Sequence, residues 1–519
     1  MSIDIPRTEF LLHEVVRAHA RSAPDHVALI FRDKQYDWGS LQAAIEGVAR
    51  GLAGAGVVRG SRVAVLDRNS DHYILLYYAL ASLGAALCPI NMWLRAGEVA
   101  YIIRNCRPTL LVTSDEFRPL AEQALADVER KPRIISRGEV RAGELSWNDI
   151  ADGPERMLPQ PLSWDDTHMI LHTSGTTGRP KGVAISHRRT VVDGMCAAAS
   201  VNPRRTDRFY SFTPLFHTGA WDWMKLFITQ RASVVLADRF DALAAIDEIE
   251  RHRCTYTLVL PVVMREMLDH PAFDKADFSS MRMVAYASQD PSNLLHEVFR
   301  RFEARGARNL RAVYPYGMTE AGPFVTIAQP HESAAHPDSI GTLVAGVEMA
   351  LLDDDLNEVA IGEVGEVCVR GATLMTEYID NPEATDEAFR GGWLHTGDLA
   401  RQVEDGFFKV VDRKKDMIRS AGENVFAKEV EQVVVQHPSI RECAVIGLPD
   451  IDYGERVVAC VVATSGFDDE ADVIGFVRKR IAGFKTPKQV VFLQELPHTP
   501  VGKIAKAVLR DMLKPGKAA

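Results

Sequence analysis

The sequence predicts an α/β protein with a large N-terminal domain of α/β sheets plus a β-rich subdomain, followed by a small α+β C-terminal domain. Short apolar runs alternate with amphipathic helical patterns through most of the chain, as in proteins with parallel sheets. From about residue 340 the pattern changes to short strands separated by Gly and Asp. The length of 519 residues exceeds the size at which a single hydrophobic core stops growing, so more than one domain is expected.

The order of elements defines the predicted N-terminal domain. A helical pattern from Leu11 precedes the first strand, and further helices are predicted at 39–53 and 72–83. Charged, proline-containing sequence from 116 to 165 predicts a helix and connecting loops. The predicted strands are 27–31, 63–66, 85–90, 110–112, 169–171, 183–185, 234–237, 256–260, 282–287 and 311–314.

The end of the chain has its own apolar pattern. The charged run Asp412 to Asp416 marks the predicted boundary between an N-terminal domain at 1–413 and a C-terminal domain at 414–519. Strands of the β-rich subdomain are predicted at 347–352, 365–370 and 407–411. The C-terminal domain is predicted to contain helix 426–436, strands 444–447 and 457–463, helix 472–482, strand 490–493 and helix 504–513.

Composition and charge exclude several classes of protein. The net charge of −10 and the lack of a long basic stripe argue against nucleic acid as a partner. The seven cysteines are scattered singly without a C-x-x-C pair, which predicts neither a zinc site nor a disulfide framework. The first residues lack the basic and apolar pattern of a signal peptide. We therefore expect a cytoplasmic protein.

One uncharged run is long enough to be a candidate membrane span. It covers residues 73–90 and contains Ser82, Gly84 and Pro89. It divides into a helix and a short buried strand, so no integral membrane span is expected.

A ten-residue loop between two predicted strands has the composition of a phosphate cradle. Its glycines allow close approach of the backbone, while backbone N–H groups, hydroxyls and a lysine are the donors that a polyphosphate needs. The spacing differs from a Walker A loop, because Lys181 precedes Gly182 and the other glycines are too close together. The candidate binding residues are Thr173, Ser174, Gly175, Thr176, Thr177, Gly178 and Lys181.

A second motif, Tyr316-Gly317-Met318-Thr319-Glu320, follows a predicted strand. Open α/β sheets bind ligands at such strand ends. The ring of Tyr316 could stack on a purine and the hydroxyl of Thr319 could meet a phosphate oxygen. The carboxylate of Glu320 is a hard oxygen ligand of the kind that Mg²⁺ accepts beside substrate phosphates.

Asp398 is a candidate ribose ligand in the segment Trp393 to Asp398. A fixed carboxylate can accept hydrogen bonds from both hydroxyls of a ribose. Asp405-Gly406-Phe407 and the charged run at the predicted boundary follow it. A turn aspartate in Thr-Gly-Asp is the alternative for an isolated match.

These segments together resemble the adenylate-forming superfamily, which contains acyl- and aryl-CoA ligases, luciferases and the adenylation domains of peptide synthetases. The chain is most similar to a bacterial acyl- or aryl-CoA ligase. Further matches are Pro214 to Gly219, Ser420 to Val425 and Leu496 to Ile504. The resemblance spans nearly the whole chain, with ordered motifs at consistent spacing.

The resemblance implies roles for individual residues. Tyr316 would bind adenine, Thr319 phosphate, Glu320 Mg²⁺ and Asp398 ribose. Lys503 would be catalytic, because a lysine stabilises the negative charge that develops at the α-phosphorus. The remaining implied roles are Arg413 on ribose or phosphate, Lys415 as the hinge of a mobile C-terminal lid, His217 near the substrate carboxylate, and Gly422 in the thioester-forming conformation.

The implied reaction is ATP-dependent ligation of a carboxylic acid to CoA through an acyl-AMP intermediate, with ATP, Mg²⁺ and CoA as cofactors. A freestanding ligase that loads a carrier protein is the alternative, since the chain ends soon after Lys503. A luciferase-like oxygenation, a nucleotide-binding sensor and a serine hydrolase are further alternatives, but no G-x-S-x-G motif is present. A homodimer is possible.

The chain departs from the family pattern at two places. Ser288-Gln289-Asp290 stands where the family usually has small residues against adenine and the acyl group, which bears on the substrate. Ala427 follows the aromatic Phe426 where the family usually has Pro, which we expect to alter only the entry to the following helix. Trp221 and Trp223 could narrow the acyl tunnel or pack in the core. Aryl, cyclic, medium-chain and branched acids all remain open.

Overall fold

The computed structural model describes the chain except for residues 1–9, 154–160, 174–179, 287–291, 337–338, 404–405, 421–422, 452, 499–503 and 514–519. The chain divides into two compact units. The first unit comprises Met1–Met349 and Val369–Leu394, and the second comprises Ala350–Cys368 and His395–Ala519. The domain boundary expected at residue 413 stays a prediction.

The first unit alternates helices and strands. Its helices are α1 (Leu12–Ser22), α2 (Trp38–Gly54), α3 (Asp71–Ser82), α4 (Ala96–Cys106), α5 (Arg118–Ala126), α6 (Trp147–Ala151), α7 (His187–Val201), α8 (Thr218–Thr229), α9 (Ala242–Arg251), α10 (Pro261–Asp269), α11 (Ser292–Ala304), α12 (Pro330–Ala335) and α13 (Pro382–Ala388). Its strands are β1 (Val27–Phe31), β2 (Lys34–Asp37), β3 (Arg62–Leu66), β4 (Ala86–Pro89), β5 (Leu110–Thr113), β6 (Arg133–Ser136), β7 (Leu145–Ser146), β8 (Thr167–Thr173), β9 (Lys181–Ser186), β10 (Arg208–Ser211), β11 (Ser233–Leu236), β12 (Tyr256–Val259), β13 (Met283–Tyr286), β14 (Arg311–Met318), β15 (Gly322–Ala328) and β16 (Thr342–Leu343).

Polar side chains fix where several of these helices begin. The carboxylate of Asp37 accepts a hydrogen bond from the N–H of Ser40 at the start of α2, and Asp241 does the same at α9. The hydroxyl of Ser70 accepts from the N–H of Tyr73 at α3. Such caps pair N–H groups that have no partner within the helix.

Two sheets form the frame of the first unit. The first sheet has the order β16-β15-β14-β13-β12-β10-β11-β1-β2, and the second has the order β7-β6-β5-β3-β4-β8-β9. The inner strands are parallel, while β8 and β9 form an antiparallel hairpin at one edge of the second sheet. In the core of the second sheet, Leu66, Cys88 and Leu111 pack with Val99 and Ile103 of α4. Continuous burial of this kind is typical of parallel strands covered on both faces.

The second unit contains two smaller sheets, and three of their strands cross the chain boundaries of the unit. The elements are β17 (Val347–Leu352), β18 (Val364–Gly371), β19 (Leu394–Gln402), β20 (Phe408–Arg413), β21 (Ile418–Ser420), β22 (Glu423–Val425), α14 (Ala427–Val434), β23 (Ile440–Asp450), β24 (Gly454–Ala463), α15 (Glu470–Arg478), β25 (Gln489–Phe492) and α16 (Lys506–Leu513). The strand orders are β17-β18-β19-β20 and β22-β21-β24-β23, with β25 beside β24.

Alternation along β23 builds two cores in the second unit. Val445 belongs to a cluster with Val430 and Val473, whereas its neighbour Ile446 packs in a cluster with Leu509. Successive side chains of a strand point to opposite faces, so this sheet is covered on both sides. The predicted helix–strand order of this region is confirmed.

The structure confirms the predicted α/β class and corrects several boundaries. The uncharged run 73–90 divides into α3 and β4, as expected, and no helix among the described residues is both long and apolar enough to cross a membrane. The expectation of only a helix and loops in 116–165 was wrong, because this region also contains β6, β7 and α6. β6 was missed because its sequence, Arg-Ile-Ile-Ser, has only two apolar residues and lies near the edge of its sheet.

Buried histidines make the stability of the first unit depend on pH. Burial lowers the pKa of His187, the first residue of α7, from 6.5 to about 4. The unfolded chain takes up a proton near pH 6.5 but the native state does not until near pH 4. This contribution to stability is therefore complete above about pH 6.5 and is lost as the pH falls toward 4, by about 1.4 kcal/mol per pH unit.

We predict that His187→Gln flattens the dependence of unfolding free energy on pH between 6.5 and 4 by about 1.4 kcal/mol per unit. Tryptophan fluorescence during guanidinium unfolding is a suitable signal, since every tryptophan in the sequence belongs to the first unit. His331→Gln, at an exposed histidine, is the control. An unchanged slope in His187→Gln would contradict the prediction.

Candidate active site

The β8–β9 hairpin brings together the two ends of the predicted phosphate loop. Thr173 ends β8, Lys181 begins β9, and the two residues are direct partners across the hairpin. Ser174, Gly175, Thr176, Thr177 and Gly178 lie outside the described residues. A loop that joins paired strand ends is closed at its base, as a cradle for a ligand requires.

Glu320 meets this hairpin from the turn between β14 and β15. Its Oε1 atom accepts a hydrogen bond from the Thr173 hydroxyl at 3.1 Å and another from the Tyr378 hydroxyl at 3.0 Å. Its backbone carbonyl accepts from the N–H of Met375 at 2.7 Å. Glu320 is buried and Thr319 beside it is half-buried. The structure thus joins the phosphate-loop hairpin to the predicted magnesium ligand.

Tyr316 lies within a strand, which corrects the prediction that it follows one. β14 was expected to end at Tyr314 but runs to Met318, because β15 pairs with it and places Thr326 opposite Tyr316. A Cβ atom at Gly317 would lie 2.3 Å from the carbonyl oxygen of Gly322, so this close pairing requires glycine. Tyr316 is buried, and its role on adenine stays a prediction.

Tyr378 is a residue that sequence reasoning missed. Its ring lies under the ammonium group of Lys181, with Nζ 4.7 Å from the ring centroid. Burial and the charge of Glu320 raise the pKa of Tyr378, so its hydroxyl remains a donor at neutral pH. The nearby Asn381-Pro382 signal indicates only the start of α13, where Asn381 caps the helix. Nothing in the local pattern indicates that Tyr378 meets Lys181 and Glu320.

His217 is the N-cap of α8, and its Nδ1 atom accepts a hydrogen bond from the N–H of Gly219 at 3.2 Å. Its place beside the substrate carboxylate stays a prediction. Trp221 and Trp223 of the same helix are both buried. Trp221 stacks on Tyr77 at 4.2 Å and Trp223 meets Phe324 edge-on at 5.2 Å, which is core packing.

In the second unit, Asp398 and Arg413 are cross-strand partners of β19 and β20. The Nε atom of Arg413 lies 2.9 Å from Oδ1 of Asp398. The Asp398 side chain is 9% exposed and that of Arg413 is 45% exposed. Asp398 therefore lies in a strand rather than a turn, and its carboxylate is oriented by a partly accessible guanidinium.

Glu366 supports the segment that precedes Asp398. Its Oε1 atom accepts a hydrogen bond from the N–H of Gly397 at 3.1 Å, and Oε2 lies 3.1 Å from Nδ1 of His395 and 3.0 Å from Nζ of Lys414. Burial opposes ionisation, but the hydrogen bonds from His395 and Lys414 lower the pKa of Glu366 overall. Cys368 lies beside His395, so these three side chains have metal-ligand types, but Lys414 already balances the carboxylate.

The structure brings two groups of predicted site residues together. In the first unit Thr173 contacts Glu320 and pairs with Lys181, and in the second unit Asp398 contacts Arg413. Lys503 and Gly422 lie outside the described residues, as does the departure at 288–290.

Comparison with known families identifies the family to which the chain belongs. The profile of the AMP-binding enzyme family matches residues 16–379, and the profile of the AMP-binding enzyme C-terminal domain matches residues 429–503. The chain belongs to the AMP-binding enzyme family.

Full-length relatives identify the chemistry of the family. The chain is 32% identical over 510 residues to an indoleacetate–CoA ligase of Aromatoleum aromaticum, covering 97% of this chain and 98% of the relative. It is 33% identical over 505 residues to the fatty acid–[acyl-carrier-protein] ligase ScoC of Streptomyces coeruleorubidus, covering 95% and 94%. The crystal structure of the anthranilate CoA ligase AuaEII with anthranoyl-AMP has a TM-score of 0.85 and 28% identity, covering 98% of each chain.

The resemblance to adenylate-forming enzymes is therefore confirmed, as are the fold class and the class of enzyme, an acid–thiol ligase that uses ATP. The individual roles of the site residues stay predictions.

We predict that Asp398→Asn raises the Kd for ATP about tenfold, since a hydrogen bond to a charged acceptor contributes about 1.5–3 kcal/mol. Binding can be measured by titration calorimetry. Asp354→Asn, at an exposed acid that pairs with Lys414, is a matched control within the same unit. Equal ATP affinity in both variants would contradict a role for Asp398 on the nucleotide.

Proposed function

We propose that this protein joins a carboxylic acid to CoA in two steps. In the first step the carboxylate oxygen attacks the α-phosphorus of ATP, which forms acyl-AMP and releases pyrophosphate. In the second step the thiol of CoA attacks the acyl carbon and AMP leaves. The contact of Thr173 with Glu320, beside the paired residue Lys181, is the observation that best supports this function, because it combines phosphate donors with a hard oxygen ligand.

The donor set at Glu320 fits Mg²⁺ bound to phosphates. A buried carboxylate with hydroxyl groups around one oxygen can offer the other oxygen to a hard cation. When bound, the ion would neutralise charge on the phosphates. Thr319, next to Glu320, would contact a phosphate oxygen, and Tyr316 would stack on adenine.

Residues of the second unit would bind the ribose and stabilise charge during the first step. Asp398, oriented by Arg413, would accept hydrogen bonds from the ribose hydroxyls. Lys503 would stabilise charge at the α-phosphorus during adenylation. Rotation about Lys415 would then withdraw Lys503 and bring the Gly422 segment toward the thiol.

We propose that the acid is an aryl acid. The relative from Aromatoleum and the anthranilate ligase act on aryl acids by name, which supports an aryl substrate. The second candidate function is transfer to a carrier protein, which the name of the relative ScoC supports. A cytoplasmic location and a homodimer belong to the same proposal.

We predict that Lys503→Ala slows acid-dependent ATP–pyrophosphate exchange by about 10²–10³-fold, the usual loss when a group that stabilises a developing charge is removed. Formation of thioester from supplied acyl-AMP should be retained, because that step does not need Lys503. Lys479→Ala, at an exposed lysine of the second unit, is the control. Normal exchange in Lys503→Ala would contradict the assignment.

The substrate is tested by ATP–pyrophosphate exchange over a panel of aryl, cyclic, branched and aliphatic acids, followed by addition of CoA and mass spectrometry. We expect exchange with aryl acids and an acyl-CoA product. Exchange without thioester would favour a carrier-protein acceptor. No exchange with any acid would contradict the proposed function.

A further inference from the structure

A segment that sequence analysis left without a role pairs with the hairpin that carries the predicted phosphate loop. Residues 376–379 lie beside β9 and pair with it through the backbone. The N–H of Ala184 donates to the carbonyl of Glu377 at 2.9 Å, the N–H of Thr376 donates back to Ala184 at 3.0 Å, and the N–H of Ile379 donates to Gly182 at 2.8 Å. Val183 and Tyr378 face each other as an antiparallel bridge. The position of Tyr378 is therefore fixed relative to Lys181.

Close packing at Gly182 makes this pairing possible. A Cβ atom at Gly182 would lie 2.7 Å from Cγ1 of Ile379, which is closer than carbon atoms approach in folded proteins. A larger residue at 182 would displace the side chain of Ile379. Gly182 therefore allows the close packing of Ile379 on β9.

The Tyr378 hydroxyl limits the freedom of Glu320. It donates to Oε1 at 3.0 Å, and the Thr173 hydroxyl donates to the same oxygen at 3.1 Å. Two donors on one oxygen fix the plane of a carboxylate, while neither of these hydroxyls bonds Oε2. Tyr378 and Glu320 are both buried, so water competes weakly for these bonds.

The ring of Tyr378 contacts a second charged residue, Lys181. Its centroid lies 4.7 Å from Nζ of Lys181, within the range of a cation–π interaction. The flexible lysine at the end of the phosphate loop is thereby held on the same side chain that orients Glu320. One residue therefore links the proposed metal ligand to the loop lysine.

We infer that Tyr378 is a positioning residue for MgATP: its hydroxyl orients the Glu320 carboxylate for the metal ion, and its ring orients Lys181 for the phosphates. This inference rests on the proposed function. Removing a group that orients a metal ligand typically lowers metal affinity 10–100-fold.

The test separates the two roles by substitution and by metal. Tyr378→Phe retains the ring over Lys181 but removes the hydroxyl, so ATP affinity in EDTA should stay unchanged. The gain in ATP affinity on adding Mg²⁺ should shrink about tenfold. Tyr378→Leu removes the ring as well, so it should also weaken ATP binding in EDTA. Both affinities can be measured by calorimetry without turnover.

A matched tyrosine controls for general effects on packing. Tyr256 is buried in the same unit, its hydroxyl donates to the carbonyl of Val201, and the Arg282 guanidinium lies 4.7 Å from its ring. Tyr256→Phe should leave the gain from Mg²⁺ unchanged. An unchanged gain in Tyr378→Phe would overturn the role of the hydroxyl, and equal ATP affinity of Tyr378→Leu in EDTA would overturn the role of the ring.

Glu320→Gln distinguishes a failure of this inference from a failure of the proposed function. If Glu320→Gln abolishes the gain from Mg²⁺ but Tyr378→Phe does not change it, Tyr378 has no positioning role and the magnesium assignment stands. If Glu320→Gln retains the full gain, the magnesium assignment itself is wrong and the inference falls with it.

Discussion

The candidate site in the first unit depends on the antiparallel pairing of β8 with β9. This hairpin closes the base of the phosphate loop, and its outer edge pairs with residues 376–379. The Thr173 end reaches Glu320 directly, and the Lys181 end reaches it through Tyr378. The predicted phosphate donors and the predicted metal ligand are thereby placed together by backbone geometry before any nucleotide binds, which would lower the entropic cost of binding.

In the second unit, strand pairing likewise places a candidate ligand residue beside the group that orients it. The β19–β20 pairing sets Arg413 opposite Asp398, and Glu366 holds the preceding residues of β19 through Gly397 and His395. An ionised, buried Glu366 is stable here because His395 and Lys414 donate to it. In both units a candidate ligand carboxylate is oriented by a neighbouring donor from another strand.

Much of this arrangement could be predicted from sequence, because local patterns determine it. The alternation of apolar runs located β1, β3, β5 and β12, and the motif residues Thr173, Glu320 and Asp398 were identified from their chemistry and from the family resemblance. What could not be predicted depends on contacts between distant segments. β14 extends through Tyr316 only because β15 pairs with it, and Tyr378 reaches Glu320 only because its segment pairs with β9. A single sequence has no local signal for such pairing.

The central claim is that the carboxylate oxygen of the substrate becomes bonded to the α-phosphorus of ATP. The most direct test is to supply a substrate acid labelled with ¹⁸O in its carboxylate, together with MgATP and CoA, and to analyse the nucleotide product by mass spectrometry. The proposed reaction predicts AMP that contains one ¹⁸O atom from the acid. Unlabelled AMP, or ADP with labelled phosphate, would contradict it.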